Sequence, residues 1–277
     1  MQHIAKTISI VTPSLNQGEF IAETIESVLS QAGNFYIDYI VMDGCSTDGS
    51  VEIIARYARF LREAKWPVQC LGINYRWICE PDNGQADALN KGFGIAGGDI
   101  LGWINSDDAY YPGAFQKVAA VNWDRVDFCF GKGMWLSREG KELCPYPTFK
   151  PNRYSLSGKC TLCQPTVFFS KKAYLKLGGL SQEYYCTFDY EYWLRAVFQA
   201  QKFSFVPAFL AKSRMYPQNK SLSDQLRATR EAAVIRHRYY SGKRLNKMLC
   251  RYYSMIVEKV TRRREDKLFK EIESWNR

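Results

Sequence analysis

The stretch Gly98–Phe115, GDILGWINSDDAYYPGAF, decides how this chain is read. Its apolar run Ile100-Leu101-Gly102-Trp103-Ile104 has the character of a buried strand, and the run stops at Asn105-Ser106-Asp107-Asp108. Two neighbouring carboxylates repel each other and resist leaving water unless a cation or strong donors meet them. A strand ended this way is aimed at a ligand. Working outward, TISIVTPS (Thr7–Ser14), YIDYIVMDG (Tyr36–Gly44) and NYRWICEP (Asn74–Pro81) read as further strands. Helical stretches separate them: Ile21, Ile25, Val28 and Leu29 recur at helical spacing between about Glu19 and Gln31. DGSVEIIARYARFL opens on Asp48, an acidic N-cap candidate, and NGQADALNKGFGIA supplies a third helix.

This β-α-β-α order predicts an α/β fold: a Rossmann-like, mixed but mostly parallel central sheet flanked by helices on both faces. After about Val126 the pattern becomes more mixed, with VDFCFGKGMWL and CQPTVFFS as strands, FDYEYWLRAVFQA as a short helix and FSFVPAFLAKSRM extended. From about Ser221 onward the sequence is helix-compatible, with Gly242 as the expected break between two helices. The expected division is a catalytic domain over residues 1–222 and a basic C-terminal helical extension over 223–277.

In open α/β sheets, ligands bind outside the carboxyl ends of the strands, where the strand order reverses. All four proposed parallel strands end in polar or turn residues: Thr12-Pro13-Ser14, Asp43-Gly44, Glu80-Pro81-Asp82 and Asn105 to Asp108. A G-x-G-x-x-G turn is missing after the first strand, and there is no G-x-x-x-x-G-K-[ST], which disfavours a dinucleotide fold and removes a P-loop enzyme. A phosphorylated ligand is then best met by a hard divalent cation, Mg²⁺ or Mn²⁺, on Asp107 and Asp108, with its other ligands from water and phosphate oxygens.

At 277 residues, 46% hydrophobic and 24% charged, the chain has the composition of a globular protein with a sizeable core. No apolar run approaches the roughly 20 residues of a membrane span, and the N-terminus reads as a first strand rather than a signal peptide. The expected location is cytoplasmic, or peripheral at the inner face of the membrane. The nine cysteines read as reduced thiols, and the lone Cys160/Cys163 pair reads as packing rather than a zinc site.

SIVTPSLNQGEFIAETIESVLSQ, YIVMDGCSTDGS, CEPDNGQADALNKGFGIAGGDILGWINSDD and FDYEYWLR, taken in this order, resemble the family 2 nucleotide-sugar glycosyltransferases over roughly residues 5 to 222. The resemblance implies a glycosyltransferase A-type fold and inverting transfer from a nucleotide-sugar, a UDP-sugar first, to a saccharide or lipid-linked saccharide. Thr12, Pro13 and Ser14 would contact the nucleotide, with Glu19 nearby, and Asp43 would accept a hydrogen bond from the base. Asp82, Asn83 and Gly84 would border base and ribose, with Asn90 supporting that loop. Ser106 and Asp107 would meet the donor, and Asp107 and Asp108 the metal. Asp189 takes the place of the general base, with Glu191 beside it and Arg195 on the same helix face; a plain helix N-cap is the competing reading of Asp189. Two positions depart from the family pattern. Asn105 stands where the acidic triplet often begins with Asp, and Tyr216 stands where a histidine often follows the last core strand. If that histidine helps to bind diphosphate or metal, Tyr216, Arg214 or Lys220 must substitute for it, or the dependence on metal is weaker.

The charge is uneven. From Asp224 onward the chain has 15 Lys and Arg against 7 Asp and Glu, most of its net +10. Leu249, Tyr252, Tyr253, Met255, Ile256 and Val260 are interleaved there. The readings are a solvated helical pair packed on the domain, a basic amphipathic face for anionic lipid, or a homodimer contact. Nucleic acid is not expected, because the catalytic end is acidic and no nucleic-acid motif is present. The rival to an enzyme is a non-catalytic nucleotide-sugar or carbohydrate-binding protein on the same fold; a nucleotidyltransferase lacks support without its Gly-rich N-terminal loop.

Overall fold

The computed structural model describes residues 5–241 and 247–274. The first half alternates as the sequence predicts: β1 (Lys6–Ser14), α1 (Ile21–Leu29), β2 (Gly33–Asp43), α2 (Ser50–Arg62), β3 (Cys70–Cys79), α3 (Gln85–Ile95) and β4 (Ile100–Trp103). Next along the chain come β5 (Ala109–Tyr110), α4 (Ala114–Ala119), β6 (Phe128–Leu136), β7 (Glu142–Pro145), β8 (Val167–Ser170), α5 (Lys171–Leu177), α6 (Phe188–Phe198) and β9 (Phe203–Arg214). The C-terminal part is helical: α7 (Lys220–Ser223), α8 (Gln225–Tyr240) and α9 (Lys247–Ser274).

These strands join one sheet in the order β3-β2-β1-β4-β8-β6-β9-β5, with β7 paired to β6. β1 to β4 are mutually parallel, as are β6 and β9, whereas β8 runs antiparallel to both β4 and β6. From β1 the chain steps outward to β2 and β3, then returns to place β4 on the other side of β1. That reversal opens a crevice beyond the carboxyl ends of β1 and β4.

Strand residues alternate between two faces, so each face carries its own core. Ile8 and Ile10 pack with α1, α2 and α4, while Val11, Leu101 and Trp103 pack with α3 and α6. Trp103 stacks on Trp193 with ring centroids 5.3 Å apart, which docks α6 under the end of β4. Gly92 lets α3 lie directly on β1, because a Cβ there would stand 2.5 Å from Val11 Cγ1.

The extension is joined to the rest. Tyr239 and Tyr240 of α8 each lie 5.3 Å from the Phe198 ring of α6, and Ile235 is fully buried. On α9, Tyr253 stacks on Tyr154 and Val257 is buried, whereas Tyr252 and Met255 are exposed. The expected break at Gly242 lies outside the described residues. Asp48 sits one residue before its expected place: Gly49, at φ 91°, is the N-cap of α2, and Asp48 Oδ1 accepts from the Ser50 N–H and hydroxyl instead.

Candidate active site

The strand register brings the expected residues to one rim. Ser14 lies opposite Asp43, and Asp43 opposite Cys79, so the ends of β1, β2 and β3 are level. Pro13 and Thr12 are buried in β1, and the Thr12 hydroxyl is engaged with the Tyr39 hydroxyl at 3.0 Å, inside the sheet. Ser14 differs: its hydroxyl is buried without a partner among the described residues, as is Gln17 Oε1. Such orphaned groups at a strand end suit a polar ligand.

Asp43 is held by its own loop, accepting from Ser46 N–H and Ser46 Oγ, both at 2.7 Å. Asp82 accepts from the Gly84 N–H at 2.8 Å, and its other oxygen lies where a Gly44 Cβ would come within 2.9 Å. The Asp43 and Asp82 loops therefore touch. Gly84 adopts φ 105°, a left-handed conformation that favours glycine. Asn83 donates from its backbone and side chain to Asp87, fastening the start of α3. Asn90 departs from expectation: it pairs with the backbone of Leu180 in both directions, each at 2.8 Å. It ties α3 to the segment leading into α6 rather than supporting the Asp82 loop.

The acidic turn splits the two aspartates. Asp108 is buried and accepts from Arg214 N–H at 2.8 Å and from Asn105 Nδ2 at 3.4 Å. Asp107 is half-buried and accepts from the Tyr216 hydroxyl at 3.1 Å. Ser106 is buried between them and Asn105. Burial raises the pKa of Asp107, and burial together with the neighbouring Asp107 charge raises that of Asp108 far more. Glu19 is exposed and ion-paired with Arg138 at 2.7 Å; both line a cavity of about 240 Å³ with Gln17, Phe20, Asp48 and Tyr216.

Asp189 stands in the first turn of α6. The N-cap is Thr187, whose side chain makes no cap bond, so the simple N-cap reading of Asp189 does not hold. Burial raises its carboxyl to about 6. The turn before it is secured from α8: Glu231 accepts from the N–H groups of Tyr185, Cys186 and Thr187 at 2.9, 2.8 and 3.1 Å, and from the Thr187 hydroxyl. Burial works against the Glu231 carboxylate, but those N–H donors and Arg227 outweigh it and hold its pKa low. Glu191, buried two residues further along α6, is taken up by Arg195 at 2.6 Å and by the Tyr239 hydroxyl at 2.6 Å, so it braces the helix.

A chain of hydrogen bonds runs from Lys220 to the acidic turn. Lys220, whose charge acts on Asp189, donates to Gln85 Oε1 at 3.1 Å; Gln85 Nε2 donates to Asn105 Oδ1 at 2.6 Å. Sequence reasoning missed Gln85, Ser46 and Glu231. The Asp-x-x-Ser spacing of Asp43 and Ser46 signals a local turn, whereas nothing in the basic tail singles out Glu231.

A mostly parallel sheet whose switch point bears an acidic turn, with flanking helices and a helical C-terminal part, has the glycosyltransferase A-type fold. The mannosyltransferase PcManGT from Pyrobaculum calidifontis, solved with GDP-Man and Mn²⁺, shares this fold at TM-score 0.65 and 14% identity, over 97% of this chain and 75% of that one. Staphylococcus aureus TarS (residues 1–349), solved with UDP, does so at TM-score 0.63 and 15% identity, over 95% of this chain and 72% of that one. Residues 9–176 match the model of glycosyl transferase family 2, and the chain belongs to that family: it is a glycosyltransferase. The uncharacterized glycosyltransferase Rv1514c of Mycobacterium tuberculosis is 30% identical over 200 residues, 69% of each chain. The putative teichuronic acid biosynthesis glycosyltransferase TuaG of Bacillus subtilis is 31% identical over 137 residues, 49% of this chain and 50% of TuaG.

Proposed function

We propose that this protein moves a sugar from a nucleoside diphosphate donor, a UDP-sugar first, to a saccharide acceptor with inversion, in polysaccharide or glycan synthesis. The solved relatives support a nucleotide-sugar donor, since TarS was solved with UDP and with UDP-GlcNAc and PcManGT with GDP-Man. The teichuronic acid role in TuaG's name supports a polysaccharide product. The observation that carries the reading is the half-buried Asp189 carboxyl, raised to about 6 by burial, at the start of α6, with the charge of Lys220 acting on it while Lys220 is joined through Gln85 to the acidic turn.

Ser14, Gln17 and the Asp43 and Asp82 loops bind the nucleotide, with Asp43 taking a hydrogen bond from the base. Asp107 faces the diphosphate. Among the described residues no group of three or more His, Cys, Asp or Glu side chains forms a metal cage. The residues do fit a cation held by one or two carboxylates and by phosphate oxygens, the usual manner of Mg²⁺. Asp107 and Asp108 carry burial costs that such a charge offsets, and Asp107 is the better placed, because Asp108 already receives Arg214 N–H. When bound, Mg²⁺ or Mn²⁺ supplies positive charge to the leaving diphosphate. Asp189 takes the proton of the acceptor hydroxyl as its oxygen bonds to the anomeric carbon; the anomeric carbon–oxygen bond to phosphate breaks, and its electron pair leaves with the diphosphate.

Residues 1–222 form the catalytic unit in this reading, and the extension braces Asp189 through Glu231. No helix among the described residues is long and apolar enough to cross a membrane. The exposed Tyr252 and Met255 on α9, with exposed Lys259 and Arg262 beyond them, favour an anionic lipid surface and a lipid-linked acceptor at the inner membrane face over a homodimer.

The test is product release from UDP- and GDP-sugars with Mn²⁺ or Mg²⁺, repeated with Asp189→Asn. The variant is expected to lose about 10²–10⁴-fold in kcat with donor affinity within about twofold. Wild-type rate is expected to rise with pH through about 6, as Asp189 loses its proton, and then level. Unchanged turnover in Asp189→Asn overturns the base assignment. Donor binding by the wild type, without transfer to any acceptor or hydrolysis, favours the non-catalytic binder.

A further inference from the structure

The departing diphosphate gains negative charge as the sugar bond breaks, and a donor aimed at that charge accelerates the step. Arg214, Tyr216 and Lys220 lie at or after the end of the last strand and compete for this work on sequence grounds. Their surroundings separate them. Arg214 is 2% exposed and fully committed: Nε donates to Asp107 O at 2.9 Å, one terminal nitrogen to Arg138 O at 2.6 Å, and the other to Glu23. It holds the acidic turn from behind. Tyr216 spends its hydroxyl proton on Asp107, and burial beside that carboxylate raises its own pKa. Arg138 is tied to Glu19 through two nitrogens, at 3.0 and 2.7 Å.

Lys220 is the cation left. It is half-buried, its ammonium lies 3.9 Å from the centre of the Tyr185 ring and 5.6 Å from that of Phe188, and it has no ion-pair partner among the described residues. Its hydrogen bond to Gln85 uses one of three protons. Gln85 in turn holds Asn105, the first residue of the acidic turn, at 2.6 Å, so the ammonium is joined to that turn on one side and lies against Phe188, the residue before Asp189, on the other. The two aromatic rings strip water from the charge, which a bound anion would offset. A flexible, compact ammonium suits a moving phosphate oxygen.

We infer that Lys220 is a catalytic residue of this chain, donating a hydrogen bond to the β-phosphate as the diphosphate leaves. This role rests on the transfer chemistry proposed above. The electron pair of the broken carbon–oxygen bond ends on the β-phosphate oxygen, the acceptor proton ends on Asp189, and Lys220 keeps its proton throughout.

Isothermal titration of the full chain with UDP and UMP, and with GDP and GMP, in Mn²⁺ tests it, alongside kcat for the same proteins. Lys220→Gln is expected to lose about tenfold or more in diphosphate affinity while monophosphate affinity stays within about twofold, and to lose about 10²–10³-fold in kcat. Lys220→Arg is expected to restore most of the diphosphate affinity, which a purely structural role would not give, and thermal melting checks that both variants are folded. Equal losses for diphosphate and monophosphate in Lys220→Gln, or no loss for either, overturn the Lys220 role alone. A wild-type protein that binds no nucleoside diphosphate overturns the transfer chemistry and this role with it.

Discussion

The two sides of the pocket are held in different ways. On the β2–β3 side, the carboxylates are fixed by their own loops: Asp43 by Ser46, three residues on, and Asp82 by Gly84, two residues on. On the β4–α6 side, support comes from far along the chain. Asp108 is met by Arg214 N–H across 106 positions, and the turn before Asp189 by Glu231 across 44 to 46. The side assigned to the base is self-contained, whereas the side assigned to bond breaking needs the last core strand and the extension in place. A local turn forms whenever its segment folds; a long-range brace exists only after the sheet and helices have docked.

Three substitutions would break or sharpen this contrast. Arg214→Met should have the largest effect. It leaves the Asp107 and Arg138 carbonyls and the Glu23 carboxylate without the guanidinium that donates to them and takes a positive charge from beside Asp107 and Asp108, and we expect a loss of about 3–5 kcal/mol in urea unfolding, the usual cost of removing one partner of a buried charge network. A loss below about 1 kcal/mol would mean the acidic turn does not depend on the Arg214 guanidinium, the backbone N–H to Asp108 being kept in the variant. Glu231→Ala comes next. It strips the acceptor from N–H groups of Tyr185, Cys186 and Thr187, and about 1–3 kcal/mol is expected, with kcat falling further than donor affinity because the turn carrying Asp189 loosens. If donor affinity falls and kcat does not, the extension braces the wrong side. Ser46→Ala should be smallest, at about 1 kcal/mol or less, with donor KM rising a few-fold and kcat nearly kept, since only the Asp43 carboxylate is freed. A large fall in kcat there would erase the division between the two sides.

Much of the fold was legible because it follows from periodicity. The run Ile100–Trp103 is apolar throughout, as a strand buried on both faces must be, the run Thr7–Ser14 carries Ile8, Ile10 and Val11, and both lie in the sheet where expected. The strand-end residues were legible for the same reason: once Ser14 and Asp43 sit at the carboxyl ends of parallel strands, the register levels them. Asn90 was misread because its distance along the helix from Asp82 says nothing about which neighbouring segment its side chain meets. It meets Leu180, 90 positions away. Asp107 and Asp108 look equivalent in sequence, and only their surroundings leave one buried and the other half-buried.

What the amino-acid sequence determined by itself was the α/β alternation, the four strand ends and the family pattern, because these rest on spacing within short windows. The tertiary structure alone decided that Asp108 is spent on Arg214, that Glu231 secures the turn before Asp189, and that Lys220 rather than Arg214 or Tyr216 keeps an uncommitted charge. Charge availability depends on what else lies within hydrogen-bonding distance, and that is set by segments far apart in the chain that meet only in the folded state.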